Sequence, residues 1–220
     1  MLKDNIIKEL VRIGNMYNVK RIVLFGSRAR GDERPRSDID IAVYGLPLNK
    51  QSEFLSEIDR INTLLEFDVV FVSDSTSPLL LENINKDGVT LMNKFAEKYS
   101  NLVQAVSRLE ESLLDYKEIQ SETVRDGVIQ RFEFCVELAW KTLREYLIDQ
   151  GYVEINSPKG VMKVAFAVNI IDDESGWIDM INARNMTAHL YDEQTAKRIY
   201  TDISTTYVSL FRKLIQTLKE

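Results

Sequence analysis

Two short stretches of this chain carry residues whose types and spacing could do chemistry. The first is Gly26-Ser27-Arg28-Ala29-Arg30-Gly31, followed six residues later by Ser37-Asp38-Ile39-Asp40. A glycine at a strand end lets backbone N–H groups come close to an anion, and the Ser27 hydroxyl adds a donor for a phosphate oxygen. Asp38 and Asp40 stand two apart in an alternating segment, so on a strand their carboxylates project from one face. Like charges side by side repel, and a divalent cation between them relieves that repulsion. Asp68, near the start of Phe67-Asp68-Val69-Val70-Phe71-Val72, is available as a third carboxylate. If the two strands are neighbours, three carboxylates meet, enough to hold two Mg²⁺ ions over a phosphoryl group. A P-loop is excluded: Gly26 and Gly31 have the right separation, but Asp32-Glu33 stand where Lys-Ser/Thr is required.

The second stretch is Arg184-Asn185-Met186-Thr187-Ala188-His189-Leu190-Tyr191, which holds the only histidine of the chain. A near-neutral imidazole can move a proton at a ribose 2′-hydroxyl while a guanidinium stabilises phosphorane charge, a metal-free route to RNA cleavage. On an ideal helix Arg184 and Tyr191 share a face, whereas Arg184 and His189 are ~140° apart. A joint Arg–His site therefore needs a helix end, or two copies facing each other. Taken alone, a single histidine near a helix end is more often a cap or a surface residue.

The composition narrows the setting. The 220 residues hold 28 Lys+Arg against 34 Asp+Glu, one Cys and one His. One cysteine, Cys135, excludes an internal disulfide and a thiolate cluster; one histidine excludes a multi-imidazole zinc site. Any metal must rest on oxygen ligands, which suits Mg²⁺. The start mixes charge signs and no apolar run approaches the ~18 residues of a membrane span, so a cytoplasmic protein is expected. Basic residues number 13 against 14 acidic ones up to position 95, and 15 against 20 beyond it. RNA would have to find a local basic pocket in the second half.

The elements that must position these residues differ between the halves. Up to about residue 95 the pattern predicts helix, strand, strand, helix, strand: a helix ending near Asn18, strands at Arg21–Phe25 and Ser37–Val43, a helix stepping through Phe54, Ile58, Ile61 and Leu65, and a strand at Phe67–Val72. Beyond it the apolar positions recur at helical spacing. They predict five helices: from Tyr99, from Arg125 to Gln150, from a Ser157 cap with Pro158 at the first position, from Trp177, and through Ile203, Tyr207, Leu210 and Leu214. Short connections imply an up-and-down bundle. Phe132, Phe134, Cys135 and Trp140 read as core of the second of these helices.

In its first half the chain resembles the minimal nucleotidyltransferases of the DNA polymerase β superfamily, on Gly26-Ser27, Ala29-Arg30-Gly31, Ser37-Asp38-Ile39-Asp40 and Asp68. In its second half it resembles the HEPN family, whose nucleotidyltransferase-associated branch is described as substrate-binding-like. The stretches that carry this are Arg131-Phe132-Glu133-Phe134, Leu138-Ala139-Trp140-Lys141-Thr142-Leu143, Ser157-Pro158-Lys159 and the R-x4-H-x-Y motif ending at Tyr191. The resemblances imply an α+β polymerase β-like domain over residues 1–95, then an all-α HEPN-like helical bundle over residues 96–220, commonly dimeric. They imply that Asp38 and Asp40 bind two Mg²⁺ ions while Asp68 binds one and helps deprotonate the acceptor. Gly26 and Ser27, with Arg28 beside them, would bind ATP. Arg184 and His189 would form a ribonuclease centre acting on RNA, and Tyr191 would be the tyrosine that receives AMP and silences it, as in paired toxin–antitoxin systems. Two other readings compete: nucleotidyl transfer to a small-molecule hydroxyl, as in antibiotic-modifying relatives, and a helical half that serves only to dimerise.

Overall fold

The structure is a computed structural model and describes residues 2–152, 155–189 and 192–219. It divides into two compact units, one ending at Lys94 and the other beginning at Phe95.

The first unit is built on a four-stranded sheet. Its elements are α1 (Asp4–Met16), β1 (Arg21–Leu24), α2 (Gly26–Arg30), β2 (Ile39–Tyr44), α3 (Gln51–Ile58), β3 (Phe67–Val72), α4 (Pro78–Asp87) and β4 (Val89–Asn93). The strand order is β3-β2-β1-β4. β1 is antiparallel to both β2 and β4, whereas β2 and β3 run parallel with α3 between them in sequence. Period-two alternation on β2 sends Ile39, Ile41 and Val43 into the larger core with Leu10, Ile13, Phe54 and Ile58 of α1 and α3. The other face carries a smaller cluster, Val23, Ala42 and Ile84, to which α4 contributes. Asp40 lies on that face, two residues before Ala42.

The expected order omits α2, α4 and β4. α2 is a five-residue turn of helix that opens on Gly26 and closes on Gly31 in the left-handed region (φ +80°), too short for any periodicity to register. α3 ends at Ile58, so Ile61 reaches the core from the loop beyond it.

The second unit is helical. Its elements are α5 (Lys94–Glu118), α6 (Glu122–Asp149), α7 (Pro158–Ala167), α8 (Glu174–Met186), a 3₁₀ turn (Thr187–His189), α9 (Glu193–Asp202), a π-helical turn (Ile203–Tyr207) and α10 (Val208–Thr217). Side-chain caps start four helices: Ser121, Ser157, Asp173 and Asp192 each accept from the backbone N–H three residues on. α6 closes on Gly151 at φ +93°, where the Tyr152 N–H reaches the Leu147 carbonyl at 3.0 Å. The interior is aromatic: Phe132 stacks on Tyr207 with centroids 5.4 Å apart, and Trp177 meets Phe211 edge-on at 5.7 Å. Burial pushes the Cys135 thiol up to about 12, which fits an inert core residue. Phe134 departs from the expected core: it is 56% exposed. The core of α6 follows Val128, Phe132, Cys135, Val136 and Ala139, and Phe134 falls outside that stripe. Trp140 is half-buried, its Nε1 donating to Glu137 at 2.9 Å. Among the described residues no helix is long and apolar enough to cross a membrane.

Candidate active site

Strand register decides the first cluster. Asp40 on β2 stands opposite Asp68 on β3, and Asp38 lies one residue ahead of β2. Gly26 follows β1 directly, with φ +69°. A Cβ placed on Gly26 would lie 2.2 Å from an Asp40 carboxylate oxygen, so the backbone at Gly26 sits against that carboxylate and tolerates no side chain. The Phe25 N–H donates to the Asp40 carbonyl at 2.9 Å, which ties the start of α2 to the same strand. Glycine, Ser27 of the short helix and the aspartates therefore share one end of the sheet.

The electrostatics agree. Asp40 is held above the ordinary carboxylate range by burial first, then by the negative charges of Asp68 and Asp38, with Arg30 opposing. Asp38 and Asp68 are exposed. The donors are hard oxygens in mutual repulsion, a chemistry that fits Mg²⁺. Their oxygens are not yet gathered: among the described residues no three carboxylate, imidazole or thiolate side chains are close enough to hold a metal ion. Backbone register brings Asp40 beside Asp68 with Asp38 one residue ahead of the strand, whereas the expected convergence of three carboxylates is not reached by the side chains.

Arg28 stands elsewhere than the sequence reading put it. It is 9% exposed, and its guanidinium donates from Nε to the carbonyls of Ser37 (3.1 Å) and Asp38 (3.0 Å) and from Nη2 to Ser37 (2.6 Å). It grips the loop that delivers Asp38. Ser37 shapes that loop further, accepting from the Arg34 N–H at 3.0 Å. A guanidinium bonded to carbonyls nine and ten residues away leaves no local signal in the sequence.

The second cluster lies at a helix end. Arg184 is in the last turn of α8 and exposed, and His189 closes the 3₁₀ turn that follows. The ideal-helix angle between them therefore does not apply. Thr187, 7% exposed, donates to the Arg184 carbonyl at 2.7 Å and is also hydrogen-bonded to the Glu133 carboxylate of α6. Burial pushes the Glu137 carboxyl up, but hydrogen bonds from Lys141 (2.7 Å) and Trp140 (2.9 Å), with the charge of Arg184, bring it below its ordinary range. Glu133 and Thr187 thus escaped the sequence reading, although both lie inside the stretches that carried the second resemblance. Tyr191 lies outside the described residues.

Comparison with known proteins assigns both units. Residues 97–220, more than half of the chain, match the model described as nucleotidyltransferase substrate binding protein like. The chain belongs to that family. Residues 7–97 match the polymerase beta nucleotidyltransferase model, so a nucleotidyltransferase domain precedes the family's helical one. A Haemophilus influenzae protein named "Probable ribonuclease HepT" is 32% identical over 89 residues, 39% of this chain and 61% of its own length. The chain thus spans about three fifths of that relative. A Methanocaldococcus jannaschii protein with the provisional name of protein adenylyltransferase is 34% identical over 90 residues, 37% of this chain and 90% of its own. Among solved structures, a Thermus thermophilus protein is 32% identical with a TM-score of 0.50, covering 54% of this chain and 99% of its own. A Haemophilus influenzae protein, described as having the fold of a substrate-binding domain of a nucleotidyltransferase, shares the fold at 24% identity and a TM-score of 0.51, over 56% of this chain and 99% of its own.

Proposed function

We propose that the chain is a fused toxin–antitoxin protein whose first unit transfers AMP from ATP to Tyr191, restraining a metal-independent ribonuclease centre formed by Arg184 and His189. The observation that carries this reading is the register of Asp40 against Asp68 with the Gly26 backbone packed on the Asp40 carboxylate. Asp38, Asp40 and Asp68 would hold Mg²⁺, which supplies charge neutralisation at the transferring phosphoryl group. Gly26 and Ser27 present backbone and hydroxyl donors to the triphosphate from the neighbouring strand end. Asp68, exposed at the edge of the sheet, accepts the proton of the attacking phenol as the new O–P bond forms and pyrophosphate leaves. Arg28 holds the Asp38 loop in place. In the second unit His189 removes a ribose 2′-hydroxyl proton while Arg184 stabilises the charge gathered on phosphorus.

Incubation of the protein with ATP and Mg²⁺ followed by intact and peptide mass spectrometry tests this. One AMP on the peptide holding Tyr191, absent from Asp38→Ala/Asp40→Ala and from Tyr191→Phe, is the expected result. An adduct that survives the double aspartate change sinks it. Turnover of a small hydroxylated acceptor that Tyr191→Phe leaves untouched would favour small-molecule transfer instead.

A further inference from the structure

The helical unit is acidic overall, and many of its cations are paired. Lys98 and Arg144 meet Glu145, Lys141 meets Glu137, Lys197 meets Glu193, Arg212 meets Glu110 and Lys213 meets Asp172. Arg108 and Arg131 are among the cations that are not so paired, and they stand side by side on neighbouring helices. Arg131 of α6 donates at 3.1 Å to the backbone carbonyl of Arg108 on α5, and among the described residues neither guanidinium lies within ion-pair distance of a carboxylate. Both line a groove of about 310 Å³ between the two helices. Asn101, Gln104 and Arg108 present one face of α5; Arg131, Phe134 and Leu138 present one face of α6; among the described residues no acidic side chain lines the groove. Phe134 is the exposed aromatic of this groove, where a helix of ordinary pattern would place a polar residue.

We propose that this groove binds single-stranded RNA, with one base stacked on Phe134 and the flanking phosphates held by Arg108 and Arg131. Unpaired guanidinium charge beside an open aromatic face is the arrangement that takes single strands without regard to sequence, and the Asn101 and Gln104 amides add adaptable donors and acceptors. A protein partner of ordinary composition would leave two arginine charges uncompensated, whereas a phosphodiester neutralises them. The groove also lies close to the second cluster. Glu133 bonds Thr187 and Glu137 feels the charge of Arg184; Phe134 and Leu138 are the next residues along α6, about 100° round its axis. A strand lying in the groove is therefore one helix face from the segment that ends in His189. The inference rests on the ribonuclease reading of this unit.

The test uses the full chain carrying His189→Ala, to prevent cleavage, and a 5′-labelled ten-nucleotide RNA of mixed sequence followed by fluorescence anisotropy. Phe134→Ala should weaken binding by about 5- to 150-fold, and Phe134→Trp should retain it. Arg108→Gln/Arg131→Gln should lower the slope of log affinity against log salt by roughly 1.4, two phosphates' worth for a single strand. These side chains are exposed or half-buried, so unchanged melting temperatures verify the fold. Absence of binding by the His189→Ala parent, or equal affinity and salt slope in all variants, overturns the proposal. So does a Phe134→Ala chain that sediments as monomer where its parent is a dimer while RNA affinity is unchanged, which would make the groove a contact between copies. RNA bound as expected yet left intact by Asp38→Ala/Asp40→Ala, a chain that cannot place AMP on Tyr191, would remove the ribonuclease reading and leave the groove standing.

Discussion

Asp40 and Asp68 face each other because β2 and β3 are hydrogen-bonded in register, whereas Arg184 and His189 are separated by the end of a helix. Register is the joint product of a whole ladder, six residue pairs from Ile39–Phe67 to Tyr44–Val72. Changing one side chain there alters charge without moving the strand. A helix end has no such redundancy. The turn from Arg184 to His189 is held by local bonds, among them those of Thr187 to Arg184 and Glu133, and its geometry goes with them. The two candidate sites thus differ in kind: in one, position is secured and charge is the variable; in the other, position itself depends on a few bonds.

Asp40→Asn puts the first half of that contrast under the heaviest load. Removing the carboxylate should lower AMP transfer by at least ~10²–10³-fold, since the electrostatic element at the reacting phosphoryl group is lost. The fold should gain. Burial, Asp68 and Asp38 disfavour the Asp40 carboxylate in the folded state, so its folded pKa lies above the unfolded value. Protonation then stabilises the native state, and that advantage is lost as pH rises through the raised pKa. The neutral amide keeps it at pH 7. Thermal denaturation should thus show Asp40→Asn melting above the wild type at neutral pH, the gap closing under acid. A lower melting temperature at pH 7 would mean that the carboxylate is structural, and that register alone does not position this site.

Arg28→Ala should have a smaller effect on rate and a larger one on stability. Its guanidinium satisfies the Ser37 and Asp38 carbonyls from a buried position. Charge-assisted bonds of this kind are each worth about 1.5–3 kcal/mol, partly shared here. A loss of about 2–4 kcal/mol by denaturant titration is expected, with transfer reduced about tenfold through a looser Asp38. Lysine, a single point donor, should restore less than half of the stability. Retention of full metal affinity, read from Mn²⁺ binding by electron paramagnetic resonance, would show that the loop needs no such grip.

Three of the four strands are legible in the sequence and the fourth is not, for a physical reason. β1, β2 and β3 carry β-branched or alternating runs whose own residues demand burial. β4, Val89–Asn93, is settled instead by pairing with β1 across a register shift between Ile22 and Val23. Nothing within those five residues records that partner. Strand geometry relates positions two apart, so the pairing of Asp38 with Asp40 is visible in the sequence; the grip of Arg28 on the Ser37 and Asp38 carbonyls is not, because those partners are nine and ten residues away. Phe134 was misread for a related reason: an aromatic residue beside a core stripe looks like core until the neighbouring helix leaves that side open.

Thr187→Val probes the helix-end site with the least chemical change. The side chain keeps its volume and loses one hydroxyl that bonds the Arg184 carbonyl and the Glu133 carboxylate from a buried position. Loss of the hydrogen bond costs about 1–2 kcal/mol, a drop of roughly 2–8 °C in melting temperature for a chain of this size. RNA cleavage should fall further than stability does, by more than tenfold at a temperature where the variant is fully folded, because the turn that follows Arg184 loses its tie to α6. Serine at this position should restore both, since it returns the hydroxyl. Mn²⁺ binding at the sheet should be unchanged in either variant. Cleavage that only tracks the folded fraction would show that the 3₁₀ turn keeps its shape without Thr187, and the two sites would then be equally secured by backbone.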